Sequence, residues 1–281
     1  MTTAGTRVAA GRLRRSPALR VLLWGMLLLS LTAMGGIPGL LAPWVFLGDW
    51  PGHEFPEIHR WHDAQWGALF GLLIGGSLAF LARRPDDRPL LVQFLLAATG
   101  GLVLLNAPFD PLILLGLLFG VFGPIAAIAL LLPRRIALTS LRPDSLRAVN
   151  WPLVAISLLS GALMARPAWR WYDLQLMRFP DEHSQFQHWT ISAVLAVVLV
   201  SGGLLAATGR PGSRWLGILC GVTFIYLGLA ALRVPDHPGS WGTEGGLLAM
   251  AAGVAFIAAT LIYRSGRSRG LLTAQRSTRA W

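Results

Sequence analysis

The chain has 281 residues, 54% hydrophobic and 13% charged, with a formal net charge of +11 and a mean hydropathy of +0.57. A soluble domain carries roughly 25% charged residues, so this composition excludes a soluble globular chain and points to an integral membrane protein. All 24 basic residues are Arg and they cluster between apolar runs, which marks membrane topology and excludes a nucleic-acid footprint.

The single cysteine, Cys220, lies inside an apolar run, so an intramolecular disulfide and a cysteine-built zinc site are both excluded. The all-Arg, Ala/Gly/Leu-rich composition suits a GC-rich bacterial genome, and the expected location is the bacterial cytoplasmic membrane as a multi-pass protein.

In chain order, residues 1–18 read as a basic cytoplasmic tail carrying Arg7, Arg12, Arg14 and Arg15. Leu19 to about Leu41 is the first apolar run. It has no small-x-small cleavage site before Gly35-Gly36-Ile37-Pro38, so a retained helix is expected, kinked or ended near Pro38. Further runs at about 64–82, 89–107, 111–132, 148–165, 189–208, 215–232 and 243–263 each approach the roughly 20 residues that cross a bilayer core. The expected fold is therefore all-α and polytopic, with eight transmembrane helices. With the N-terminus inside, the tails and inner connectors hold 19 Arg, and the opposite connectors hold five: Arg60, Arg166, Arg170, Arg178 and Arg233. That bias places both termini in the cytoplasm.

An internal repeat organises the chain. Phe55-Pro56-Glu57-Ile58-His59 returns as Phe179-Pro180-Asp181-Glu182-His183, each just before an apolar run. Arg84-Pro85-Asp86-Asp87-Arg88 returns as Arg210-Pro211-Gly212-Ser213-Arg214, and the turn Pro108-Phe109-Asp110-Pro111 as Pro235-Asp236-His237-Pro238. The three landmarks recur in order, offset by 124, 126 and 127 residues. This spacing predicts a first four-helix repeat at 19–135, a cytoplasmic linker at 136–146, a second repeat at 147–263 and a basic tail at 264–281. Four helices is an even number, so the repeats enter the membrane in the same sense and are related by an axis along its normal.

All six His and ten of the 13 acids fall on the predicted outer side. The membrane core holds no midplane carboxylate or imidazole, which argues against an ion pump or proton-coupled carrier. If a helix begins near Glu57, then His59, His62, Asp63 and Trp66 share one face at i, i+3, i+4 and i+7. Two imidazoles and a carboxylate on one face can ligate a divalent metal or do acid/base chemistry. Across the repeat axis, Glu57/His59 and Asp181/His183 are expected to face one another. The metal candidates are His59, His62, Asp63, His183 and His188; the catalytic candidates are Glu57, His59, Asp181 and His183.

The cofactor read from these residues is a divalent metal or haem, used in redox or metal handling. Two other functions fit the same segments. One is a metal-independent enzyme acting on a lipid or isoprenoid, with Arg60 or Arg178 holding an anionic group. The other is a non-catalytic subunit or carrier binding an extracytoplasmic protein partner through Trp169, Trp171 and Tyr172. In either case the lipid bilayer is a partner and nucleic acid is not. The ordinary reading of the outer tryptophans, among them Trp44, Trp61, Trp66, Trp189 and Trp241, is an interfacial aromatic belt.

Eight helices in two units, with Glu57, His59 and Arg60 opening the second helix, resemble the haem A synthases. The resemblance implies haem held by His pairs in each unit, with an external acid near the site. It covers those three residues alone: the runs 111–132 and 243–263, where that family carries its second His, contain none, and its cysteine pair is missing.

Overall fold

The computed structural model describes residues 17–45, 56–85, 88–132, 149–180, 184 and 187–277, with side chains described outside 56–58 and 264–277. The elements are α1 (Pro17–Leu31), α2 (Gly36–Leu41), α3 (Pro56–Trp66), a π-helical stretch π1 (Gly67–Gly75), α4 (Gly76–Arg83), α5 (Pro89–Asn106), α6 (Pro111–Leu117), a second π-helical stretch π2 (Leu118–Phe122), α7 (Gly123–Leu131), α8 (Trp151–Leu176), α9 (His188–Ala207), α10 (Ser213–Arg233) and α11 (Gly242–Ser277). No strand occurs among the described residues. Among the described residues seven helices, with α3–π1–α4 and α6–π2–α7 each forming one rod, are long and apolar enough to cross a bilayer. The chain is a multi-pass helical membrane protein.

Local chemistry sets several helix starts. Pro89 and Pro111 stand at first-turn positions of α5 and α6, where the missing N–H costs nothing. Before α6, Asp110 Oδ1 accepts from Leu112 N at 2.7 Å and Ile113 N at 3.1 Å, satisfying two amides the helix cannot. Asn150 caps α8 by accepting from Leu153 N, and its Nδ2 donates to the Ala259 carbonyl on α11.

Two helices depart from the expected bounds. The first apolar run is divided: α1 has 15 residues, the left-handed Gly35 (φ 76) breaks the chain, and α2 resumes at Gly36. Pro38 is not the breaking point. It lies in the first turn of α2, where an N–H is not needed. α8 is longer than the expected run at 148–165 and continues through Arg166 and Pro167 to Leu176.

Four rods form the interior. Of the most apolar stretch of each, 72% is buried in His59–Arg83, 50% in α5, 67% in α9 and 61% in α10, against 22% in Pro111–Leu131 and 28% in α8 and α11. The inner helices touch crosswise: α9 packs on α5 and α3, while α10 packs on π1 and α4. Outside them, α8 packs on α9 and α11, and α1 packs on π1, α4 and α7.

Small residues let backbones meet, as membrane helices without a hydrophobic drive require. A Cβ on Gly39 of α2 would overlap the Asp63 carbonyl and the Gly67 backbone, and one on Gly246 of α11 would stand 2.9 Å from the Gly228 carbonyl on α10. The centre is dry and closed, with Leu69, Leu73, Phe94, Leu95, Leu195 and Val198 all at 0% exposure.

Candidate functional site

α3 and α9 begin at the same end of the molecule, and their first turns face each other. This brings together His59 and His62 from α3 and His188 from the first position of α9. The rings of His59 and His188 are 4.9 Å apart between centroids, edge to face at 78°, and those of His62 and His188 are 5.7 Å apart and stacked within 24°. Their exposures are 1%, 0% and 8%, so the cluster lies inside the protein and not on its rim.

Each side chain is placed by its helix. Three residues separate His59 from His62, so both project from one face of α3. His188 is set by Gln187, whose left-handed backbone (φ 57) turns the chain into α9. The Thr190 hydroxyl then lies 2.7 Å from the Gln187 carbonyl and 3.0 Å from Asn106 Oδ1, two acceptors that share one proton. That contact ties the start of α9 to the end of α5. One turn deeper, Gln65 and Ser192 form a buried reciprocal pair, with Gln65 Nε2 3.1 Å and Oε1 3.2 Å from Ser192 Oγ. The α3–α9 seam is thus polar for two turns and then gives way to the dry centre.

Aromatic rings wall the cluster. Trp189 stands at 90° to His62 with 5.0 Å between centroids, and Trp171 stacks on Trp189 at 4.7 Å. Trp61 meets Trp241 at 5.4 Å. The turn between α10 and α11 covers the rings: a Cβ on Gly239 would stand 3.2 Å from His62 Cε1 and 3.4 Å from Trp61 Cδ1.

Of the residues expected from sequence, His59, His62 and His188 are brought together. Asp63 is half-buried, in the turn of α3 that Gly39 approaches. The side chain of Glu57, together with Asp181, Glu182 and His183, lies outside the described residues. Among the described residues no three His, Cys, Asp or Glu form a ready ligand set for a metal ion. Arg60 Nε donates to the Ala42 carbonyl at 3.1 Å, linking α3 to the end of α2.

Sequence reading did not single out Gln65, Ser192 or Thr190. The signal was present for the first two: Gln65 follows His62 by three and Ser192 follows His188 by four, so each continues its helix's histidine face. Trp61 and Trp189, expected in the interfacial belt, are buried at 0% and 3% exposure, whereas Trp44 and Trp169 are exposed at 44% and 64%. Trp189, held against His62 and Trp171, and Trp61, held against Trp241, cannot also reach the headgroups.

The arrangement offers three imidazoles in an aromatic, water-poor enclosure, able to bind an electrophile or pass a proton. No family model, no curated protein and no solved structure matches the chain.

Proposed function

We propose that this integral membrane protein holds a divalent transition-metal ion at its extracytoplasmic end, with His59, His62 and His188 as ligands, and uses it in metal handling or redox chemistry. The observation that carries this is the ring spacing. At an imidazole–metal bond of about 2.0–2.1 Å, two imidazoles on one tetrahedral ion have centroids about 5 Å apart. The 4.9 Å separation lies at that value and the 5.7 Å separation above it, so His188 stands beside both α3 rings at nearly the spacing that shared ligation needs. Imidazole donors suit Zn, Cu(II), Ni and Fe(II). Three protein ligands leave a fourth position for water or for a substrate.

The His59–His188 spacing speaks against a haem held between those two rings. Two axial imidazoles point at one iron from opposite sides of a porphyrin, which holds their centroids about 6 Å apart given bonds of about 2 Å. His59 and His188, in edge contact at 4.9 Å, leave no slot for the macrocycle. The extracytoplasmic assignment rests on the Arg distribution.

The test is metal analysis of protein purified without a His tag, followed by titration of the apo-protein with Zn(II), Co(II) and Cu(II). One ion per chain is expected, with His188→Gln and His62→Gln each weakening binding at least tenfold while the protein stays monodisperse. Co(II) bound by imidazoles in tetrahedral geometry would give strong visible d–d bands. Parent protein that takes up no ion, or a double variant that binds as tightly as the parent, overturns the proposal.

A further inference from the structure

A second site opens sideways into the membrane. Between α8 and α11, in the half of the molecule that carries the histidines, lies a cleft of about 300 Å³, at the lower end of the range for small-molecule sites. Its walls are apolar except at Ser240, on the turn before α11, and at two places on α8. Ser160, 7% exposed, lines the cleft and makes no hydrogen bond among the described residues. Two turns on, Pro167 sits inside the helix and has no N–H to give the Leu163 carbonyl; both residues line the cleft. A hydrogen-bond acceptor without its donor is costly in hydrocarbon, where water cannot replace the partner. The remaining walls include the rings of Phe224 and Trp241.

We infer that this cleft binds the ring of an isoprenoid quinol. A hydroxyl of the ring donates to the Leu163 carbonyl, and the para oxygen accepts from the Ser160 hydroxyl. Residues three apart on one helix face have Cβ atoms about 5–6 Å apart. The Ser160 side chain tilts toward the helix N-terminus and the Leu163 carbonyl points toward the C-terminus, so their polar atoms stand farther apart, as two para oxygens each reached through a hydrogen bond of about 2.8 Å require. Flat aromatic walls favour a planar ring over a plain hydrocarbon chain, and the isoprenoid tail leaves through the open side into lipid. The occupant must come from the bilayer, since both walls are membrane-crossing helices. Trp241, one wall of the cleft, touches Trp61 beside the histidine cluster, so the ring would lie next to the proposed metal site without being one of its ligands.

The experiment measures binding of a decyl-substituted benzoquinol to the full chain in detergent, with dodecanol as a chain-only competitor. Saturable binding of one quinol per chain is expected, about tenfold weaker in Ser160→Ala and abolished in Ala252→Phe, which fills the cleft. Binding by His188→Gln should match the parent, which separates this site from the metal reading. Non-saturable uptake, equal competition by dodecanol, or unchanged affinity in Ala252→Phe overturns the inference, and unchanged affinity in Ser160→Ala overturns the hydrogen-bond assignment.

Discussion

At the residue scale, the histidine cluster makes a pH-dependent prediction with a definite sign. Each ligating imidazole must be neutral. Metal affinity should therefore fall as pH drops and protons compete for the imidazoles, about tenfold per unit for every imidazole that must lose its proton. Isothermal titration between pH 5.5 and 8 checks this, and a flat profile would mean the histidines are not the ligands. The Gln65–Ser192 pair makes a separate prediction. An interhelical hydrogen bond in a membrane is worth about 1 kcal/mol, so Gln65→Leu and Ser192→Ala should each lower the unfolding midpoint, and the double variant should cost less than their sum. The pairing of His59 with His62 was legible from their spacing alone. That His188 opens α9 was not, because it depends on where the chain turns into the helix, and that is fixed by a left-handed Gln187 with no sequence signature of its own. The Gln65–Ser192 bond spans 127 residues, and side-chain pairs of that separation are set by how the helices pack.

Among the elements, the apolar runs marked the membrane-crossing rods because hydrocarbon demands helices of that length. The departures come where composition and geometry pull apart. Arg166, Pro167 and Arg170 made the end of the fifth run look polar, yet α8 runs on through the proline to Leu176. In the first run, proline looked like the break and glycine proved to be it, since only Gly35 adopts φ 76 without strain. The crossing of α2 over π1 gives a prediction: Gly39→Val places a branched side chain on the Asp63 carbonyl and the Gly67 backbone. Neither can move without shifting α3, and overpacking of this kind costs about 1–3 kcal/mol or more. The variant should lose most of its monodisperse fraction on size exclusion. Gly25→Ala, with nothing within 4 Å of the added carbon, should elute like the parent and serves as the control.

For the whole molecule, the two-repeat reading remains our proposal, and the helix contacts favour it. Within the first four rods, α1 touches π1 and α7, and α5 touches α7; within the last four, α8 touches α9 and α11, and α10 touches α11. Between the halves, α3–π1–α4 meets α10 much as α9 meets α5, the pattern an axis through the four inner rods produces. The register refines the sequence pairing: His62 and His188, stacked across the seam, are 126 residues apart, as are Arg84 and Arg210. On that register the equivalent of His62 is His188, and the Phe-Pro-acid motif, offset by 124 residues, stands two residues farther ahead of its histidine in the second half than in the first. The proposed metal site then has a property neither half possesses, because two ligands come from the first and one from the second. Co-expressing residues 1–140 and 141–281 as separate chains tests this directly. The halves should copurify through the inner helices and bind one ion together. The first half alone, with His59 and His62 but no His188, should bind at least tenfold more weakly, and the second half alone should bind none through this cluster. If the first half alone binds metal as tightly as the intact chain, His188 is not a ligand, and the site belongs to α3 and its own leading segment.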